Sequence, residues 1–133
     1  MKGLDVYKKA QAATAHVDVR QAEADALLRV AREMEAAKEG PSAPYFEALV
    51  RNIQLWNIFA HDCASEANRL PSDLKVQIVS LAVWAVGQSE KAIAREAGVE
   101  ALIEINRTIA KGLMTTAVDA SAGGVPEVGV EQA

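Results

Sequence analysis

Few residue groupings in this chain have the types and spacing for chemistry. The most suggestive is His61-Asp62-Cys63, an imidazole, a carboxylate and a thiol in a row. Consecutive residues on a helix point about 100° apart, so the three do not converge on one atom of a substrate. The only other histidine is His16, in a segment that reads as a loop. No CxxC, HExxH, Gly-rich phosphate loop or GxSxG occurs. A lone cysteine on an apolar stripe behaves as a small, inert hydrophobe. These residues predict no catalytic, metal-binding or cofactor-binding site, and hence a protein that is not an enzyme.

Asn106 stands out for its position rather than its reactivity. Wound as a helix, the segment around it places Val99, Leu102, Ile103, Ile109, Ala110 and Leu113 on one face, with Asn106 in the middle. A buried amide must find hydrogen-bond partners or destabilise the fold. Asn106 is therefore expected to bond groups on a neighbouring helix and to fix helix register. Asp62 reads as a structural acid, paired with Arg69 or, across helices, with Arg107. Trp56 is centred on an apolar stripe and belongs to the core. Trp84 lies between two stripes and is the more open case.

The elements that must hold these residues are helices. Half of the 133 residues are hydrophobic and few are aromatic, which favours helices over sheet in a single domain. The expected fold class is all-α, an antiparallel bundle of four principal helices with a short N-terminal helix and a disordered tail. A short helix is predicted over residues 4–14, with Tyr7, Ala10 and Thr14 on one side. Asp18 then reads as an N-cap, with Gln21 three residues on. The helix it opens, about residues 19–38, has Ala24, Leu27, Leu28, Ala31 and Met34 at helical spacing. Gly40-Pro41-Ser42-Ala43-Pro44 ends it.

The next helix, about Tyr45 to Ala67, carries Leu49, Ile53, Trp56, Ala60, Cys63 and Ala67 in one stripe, with Asn52, Leu55 and Phe59 along its flank. After Leu70-Pro71, a helix from Ser72 to about Arg95 is the longest predicted, about 35 Å at 1.5 Å per residue. Gly98 interrupts it, and Val99 to Leu113 forms the last helix. Residues 1–113 make the domain. Residues 114–133, small and Gly-containing, read as a disordered tail.

The helix from Ser72 is apolar on two sides. Leu74, Ile78, Leu81, Ala85 and Ala92 form one stripe, and Val76, Val79, Val83 and Val86 form another. Such a helix is either enclosed by its neighbours or open to a partner on one side. In the second case Val76, Val79, Val83, Trp84 and Val86 form a groove for an amphipathic helix. Leu55 and Phe59 offer a second candidate surface.

Charge narrows the partner class. All 14 basic residues, but also 15 of the 18 acidic ones, lie before residue 114. A near-neutral body of mixed sign lacks the basic footprint of a nucleic-acid binder, and Lys8-Lys9 is a pair rather than a patch. No apolar run is long enough for a membrane span, and no signal peptide is expected at Met1-Lys2-Gly3-Leu4-Asp5. One cysteine fits a reducing cytoplasm.

Two blocks carry a family resemblance. The first is Asn52-Ile53-Gln54-Leu55-Trp56 with Asp62, Leu70-Pro71 and Leu74. The second is Leu102-Ile103-Glu104-Ile105-Asn106-Arg107 with Ile109 and Gly112-Leu113, and Leu81 and Trp84 lie between them. From about Tyr7 to Leu113 the chain resembles FlaF, the flagellar biosynthesis regulator of alphaproteobacteria. The resemblance implies a cytoplasmic protein acting in flagellin production and secretion, opposite FlbT, a translational repressor of flagellin. It implies flagellin as a partner, bound in a chaperone-like manner, or an adaptor role on a FlbT-like repressor. It brings no catalytic residues. Trp56, Asp62, Asn106 and Arg107 belong to its structural motif.

Overall fold

The computed structural model describes residues 2–65 and 70–121, with four α-helices and no strand among them. They are α1 (Lys2–Ala37), α2 (Ser42–Ala64), α3 (Ser72–Ile93) and α4 (Glu100–Ser121). The fold is an all-α bundle. Residues 66–69 and 122–133 lie outside the described residues, as do the side chains of Tyr7 and His16.

Four boundaries differ from the sequence reading, one of them the end of α2, at Ala64 rather than about Ala67. The expected short helix and the expected N-cap at Asp18 merge into one 36-residue α1. No glycine or proline separates Thr14 from Val19, so continuing the helix costs only small propensity differences. α2 starts at Ser42 rather than Tyr45. Pro44 fits there because a first-turn N–H has no partner within the helix. α4 runs past Leu113 to Ser121, where a tail was expected. No helix breaker intervenes before Gly123, and the Thr115 hydroxyl donates to the Lys111 carbonyl at 3.1 Å.

α3 ends before Gly98 is reached. Arg95 adopts φ 63°, its N–H donates to the Ala92 carbonyl at 3.0 Å, and the Glu96 N–H donates to the Lys91 carbonyl at 2.8 Å. This pair of bonds closes a helix with a left-handed residue, a position that favours glycine. An arginine there is offset by its contact, since the guanidinium lies 4.0 Å from the centre of the Tyr45 ring. The Tyr45 hydroxyl donates to the Ala92 carbonyl at 3.0 Å and ties the end of α3 to the start of α2.

α1 packs most extensively against α4, and α2 against α3; α3 and α4, though consecutive, barely touch. α2 and α4 lie on the diagonal of the bundle. The core is built on Leu27, Met34, Leu49, Trp56, Ile78, Val99, Leu102 and Leu113, all fully buried.

Four buried polar side chains cross this core. The Trp56 indole N–H donates to Asn106 Oδ1 at 2.8 Å, and Asn106 Nδ2 donates to Asn52 Oδ1 at 2.9 Å. Asn52 Nδ2 donates to Ser89 Oγ at 3.0 Å, and the Ser89 hydroxyl donates to the Ala85 carbonyl at 2.7 Å. Asn106 Nδ2 also reaches the Leu27 carbonyl at 3.3 Å. The chain of bonds thus touches all four helices.

Asn106→Leu is expected to destabilise the fold by about 2–4 kcal/mol in urea denaturation, because the Trp56 N–H and the Asn52 carbonyl oxygen are left buried and unbonded. Adding Trp56→Phe should then cost less than Trp56→Phe costs alone. Equal costs in the two backgrounds would show that the indole bond contributes nothing.

Candidate partner-binding surface

α3 turns Ile78, Ala82, Ala85, Ser89 and Ala92 to the core. The 3.6-residue repeat then sends Val76, Ser80, Val83 and Gly87 to the opposite side. These residues follow a 4-3-4 spacing, the seam on which a second helix packs. Val76 is 66% exposed, Val83 73% and Trp84 41%, and Val79 is exposed beside them. The valine stripe is therefore open rather than enclosed. No charged residue occurs between Lys75 and Glu90, a run of four helical turns. A solvent-facing helix normally carries charge, and charge depletion is a feature this face shares with the cores of interfaces. Gly87 adds to this, since nothing lies within 4 Å of where a Cβ would stand. A partner backbone can approach closely there.

On the flank toward α4 the surface dips into a cleft of about 400 Å³ lined by Leu81, Trp84, Ala101, Glu104, Ile105 and Thr108. It exists because α3 and α4 stay apart. Val83 and Trp84, adjacent in sequence, point about 100° apart on the helix, so the valine seam and the cleft border each other across Ser80 and Gly87.

The other candidate residues lie elsewhere. Val86 is half-buried and packs on the core. Phe59 is only 2% exposed and meets the Trp56 ring edge-on, with centroids 5.6 Å apart. It offers no surface to a partner, because its face of α2 is turned inward. Leu55 is half-buried on the flank that bears Arg51 and Asp62. Those two reach Glu33 and Arg20 of α1, so this flank faces away from α3.

Asp62 does not pair with Arg107, which is exposed on α4 near Glu35. Arg69 lies outside the described residues. Among the described residues Asp62 pairs with Arg20, at 3.8 Å. Arg20 is 2% exposed, and its Nη1 lies 2.8 Å from Glu23 Oε1. That contact is short but badly aligned, since neither atom makes a directed hydrogen bond and Arg20 Nε has none either. Burial, then the hydrogen bond with Asp62, pushes the Glu23 carboxyl up to about 8, against the pull of Arg20. Glu23 thus favours its protonated form near neutrality.

Beside this group, burial, then Glu23, pushes the Cys63 thiol up to about 11. A thiol held protonated is a poor nucleophile. His61, its near neighbour in sequence, is exposed while Cys63 is fully buried. The two therefore cannot act together.

Sequence reasoning missed Arg20, although its spacing to Ala24, Leu27, Ala31 and Met34 places it on the same buried stripe. It also missed the cleft, for which no local signal exists.

A model of the flagellar protein FlaF family matches residues 4–113. The chain belongs to the FlaF family. In this FlaF-family chain the match takes in the whole buried polar chain, the valine seam and the cleft, and stops inside α4. Comparison with curated proteins and with solved structures gives no match. No helix among the described residues is long and apolar enough to cross a membrane.

The Glu23 site yields a pH dependence with a definite sign. The folded pKa is raised, so its contribution to stability is fully present below the unfolded value of 4.5 and is lost as pH rises through about 8. Between those values the folded state binds more protons than the unfolded one. Melting temperature should therefore fall from pH 5 to pH 9, and Glu23→Gln should flatten that slope. A Glu23→Gln profile parallel to that of the wild type would remove Glu23 as its source.

Proposed function

We propose that this FlaF-family chain binds flagellin in the cytoplasm before export, covering an amphipathic helix that would otherwise assemble prematurely. The observation that carries this reading is the exposed, uncharged seam of α3 beside an unfilled cleft. Flagellin ends form amphipathic helices, and grooves that take such helices present apolar anchors at helical spacing. The stretch from Val76 to Val86 is about 15 Å long. It accommodates roughly three turns of a bound helix.

An apolar surface held open in the free protein costs little on binding, because the backbone of a packed helix is already ordered. Filament production then depends on this chain through protection of its subunit. The reading requires no cofactor, no catalysis and no contact with mRNA.

Binding should be measured with purified flagellin and the wild type, Val79→Asp and Val83→Asp. Each substitution buries an unpaired carboxylate in the complex and should weaken binding at least tenfold. Both positions are exposed, so helical content and melting temperature should stay close to wild type. Undiminished binding by both variants would exclude this face. A pull-down from cells lacking flagellin tests the other reading. Recovery of a FlbT-like repressor there, together with no binding to purified flagellin, would replace the chaperone role with that of a regulatory adaptor.

A further inference from the structure

The cleft between α3 and α4 has a composition distinct from the valine seam. Its walls are Leu81, Ala101 and Ile105, and its polar features are the half-open indole of Trp84, the Thr108 hydroxyl and one carboxylate, Glu104. Glu104 is exposed and makes no ion pair among the described residues. No basic residue lines the cleft.

We propose that this cleft is a specificity pocket for one lysine or arginine side chain carried by the helix that docks on α3. This rests on the reading that α3 seats an amphipathic helix, and it assigns that helix a required charge. The chemistry fits a long cation and little else. The aliphatic stem lies along Leu81, Ala101 and Ile105, as stems of basic residues do on apolar surface. The charged end then lies within reach of the Trp84 indole, a ring type that attracts cations over its face, and of the Glu104 carboxylate. An acidic side chain in the same place would meet Glu104 and the electron-rich ring, both repulsive. An apolar one would leave Glu104 beside it with its solvation reduced.

The valine seam and the pocket divide the task. The seam accepts any apolar helix face of suitable period. The pocket sits to one side of it, toward α4, so a basic residue on that flank of the docked helix sets its rotation and its direction. Specificity arises in this way when an attractive contact for the right sequence is a repulsive one for the wrong sequence.

The two tryptophans provide the readout. Trp56 is fully buried and hydrogen-bonded, so its emission stays constant, whereas Trp84 is 41% exposed and shifts to the blue when the cleft is filled. The probe is a set of synthetic amphipathic helical peptides with one apolar face. A single Lys is walked along the polar flank, and a matched set carries Glu at the same positions.

At one flank position the Lys peptide should shift Trp84 emission and bind the full chain about threefold to tenfold tighter than its Glu counterpart, as for one exposed cation–aromatic and ion-pair contact. Glu104→Lys should reverse that order. Trp84→Phe should abolish the emission change. Equal binding of Lys and Glu peptides at every position, no binding by either set, or an unchanged order in Glu104→Lys would overturn the pocket.

Flagellin itself separates this proposal from the broader one. Flagellin bound equally by wild type and Glu104→Lys would overturn the pocket and keep the chaperone reading. A charge preference among the peptides without any binding of flagellin would keep the pocket and remove the chaperone reading.

Discussion

The bundle depends on one buried amide. Asn106 has a carbonyl oxygen and an NH2 group, and both are used within the core: the oxygen accepts from Trp56, and the NH2 donates to Asn52 and to the Leu27 carbonyl. Asn52 passes the chain on to Ser89 of α3. An apolar residue at Asn106 would leave groups on α2 unbonded, so the amide is needed by its neighbours rather than by itself. Apolar packing tolerates a helix sliding by a turn, whereas this chain of bonds does not. It holds α1, α2, α3 and α4 at one level along the bundle axis.

That constraint also explains why one side of α3 is open. Asn106 and Trp56 join α4 to α2 across the diagonal, through side chains and not through close backbones. α3 is attached to α2 by Asn52–Ser89 and by Tyr45–Ala92. Among the described residues no comparable side-chain bond pulls α3 onto α4, and the two helices barely touch. The small residues Ala82, Ala85 and Ala92 let α3 sit close on α2, which draws it further from α4. The cleft beside Trp84 is thus a consequence of where the polar bonds were placed, and it stands open in the isolated chain.

How much of this is legible in the sequence varies with the range of the interaction. The four helices follow from apolar periodicity, and Asn106 is conspicuous because it interrupts a face that is otherwise Leu, Ile and Ala. Its partners were not legible, since Asn52 reads as a flank residue and nothing in the local pattern marks Ser89 until α2 and α3 are placed together. Arg20 shows the opposite failure. Its position on the Ala24–Leu27–Ala31–Met34 stripe was visible, but a charged residue is discounted as core by habit of composition. Asp62 was recognised as structural, but of its two expected partners Arg107 lies elsewhere on α4 and Arg69 falls outside the described residues, and its pairing with Arg20 depends on helix rotation that no local pattern reports. The break expected at Asp18 failed for a different reason. Capping residues favour a helix start but cannot impose one when the preceding segment is itself a good helix former.

The open face of α3 is best understood by asking what its residues would cost if it served no partner. Valine has lower helix propensity than leucine or alanine, by a few tenths of a kcal/mol per site. Val76 and Val83 recover none of this by burial, being largely exposed. Lysine or glutamate in their place would improve both propensity and solubility. The same holds for Trp84, whose indole is partly in water. A stretch of four turns without charge therefore lowers the stability of the free protein, while the buried amides hold the bundle together. The two features are complementary: a core tied by directed bonds keeps its shape without help from α3's outer face, and that face is free to remain apolar. A partner helix covering it would recover the lost burial, so the free energy left unused in the isolated chain is available for binding.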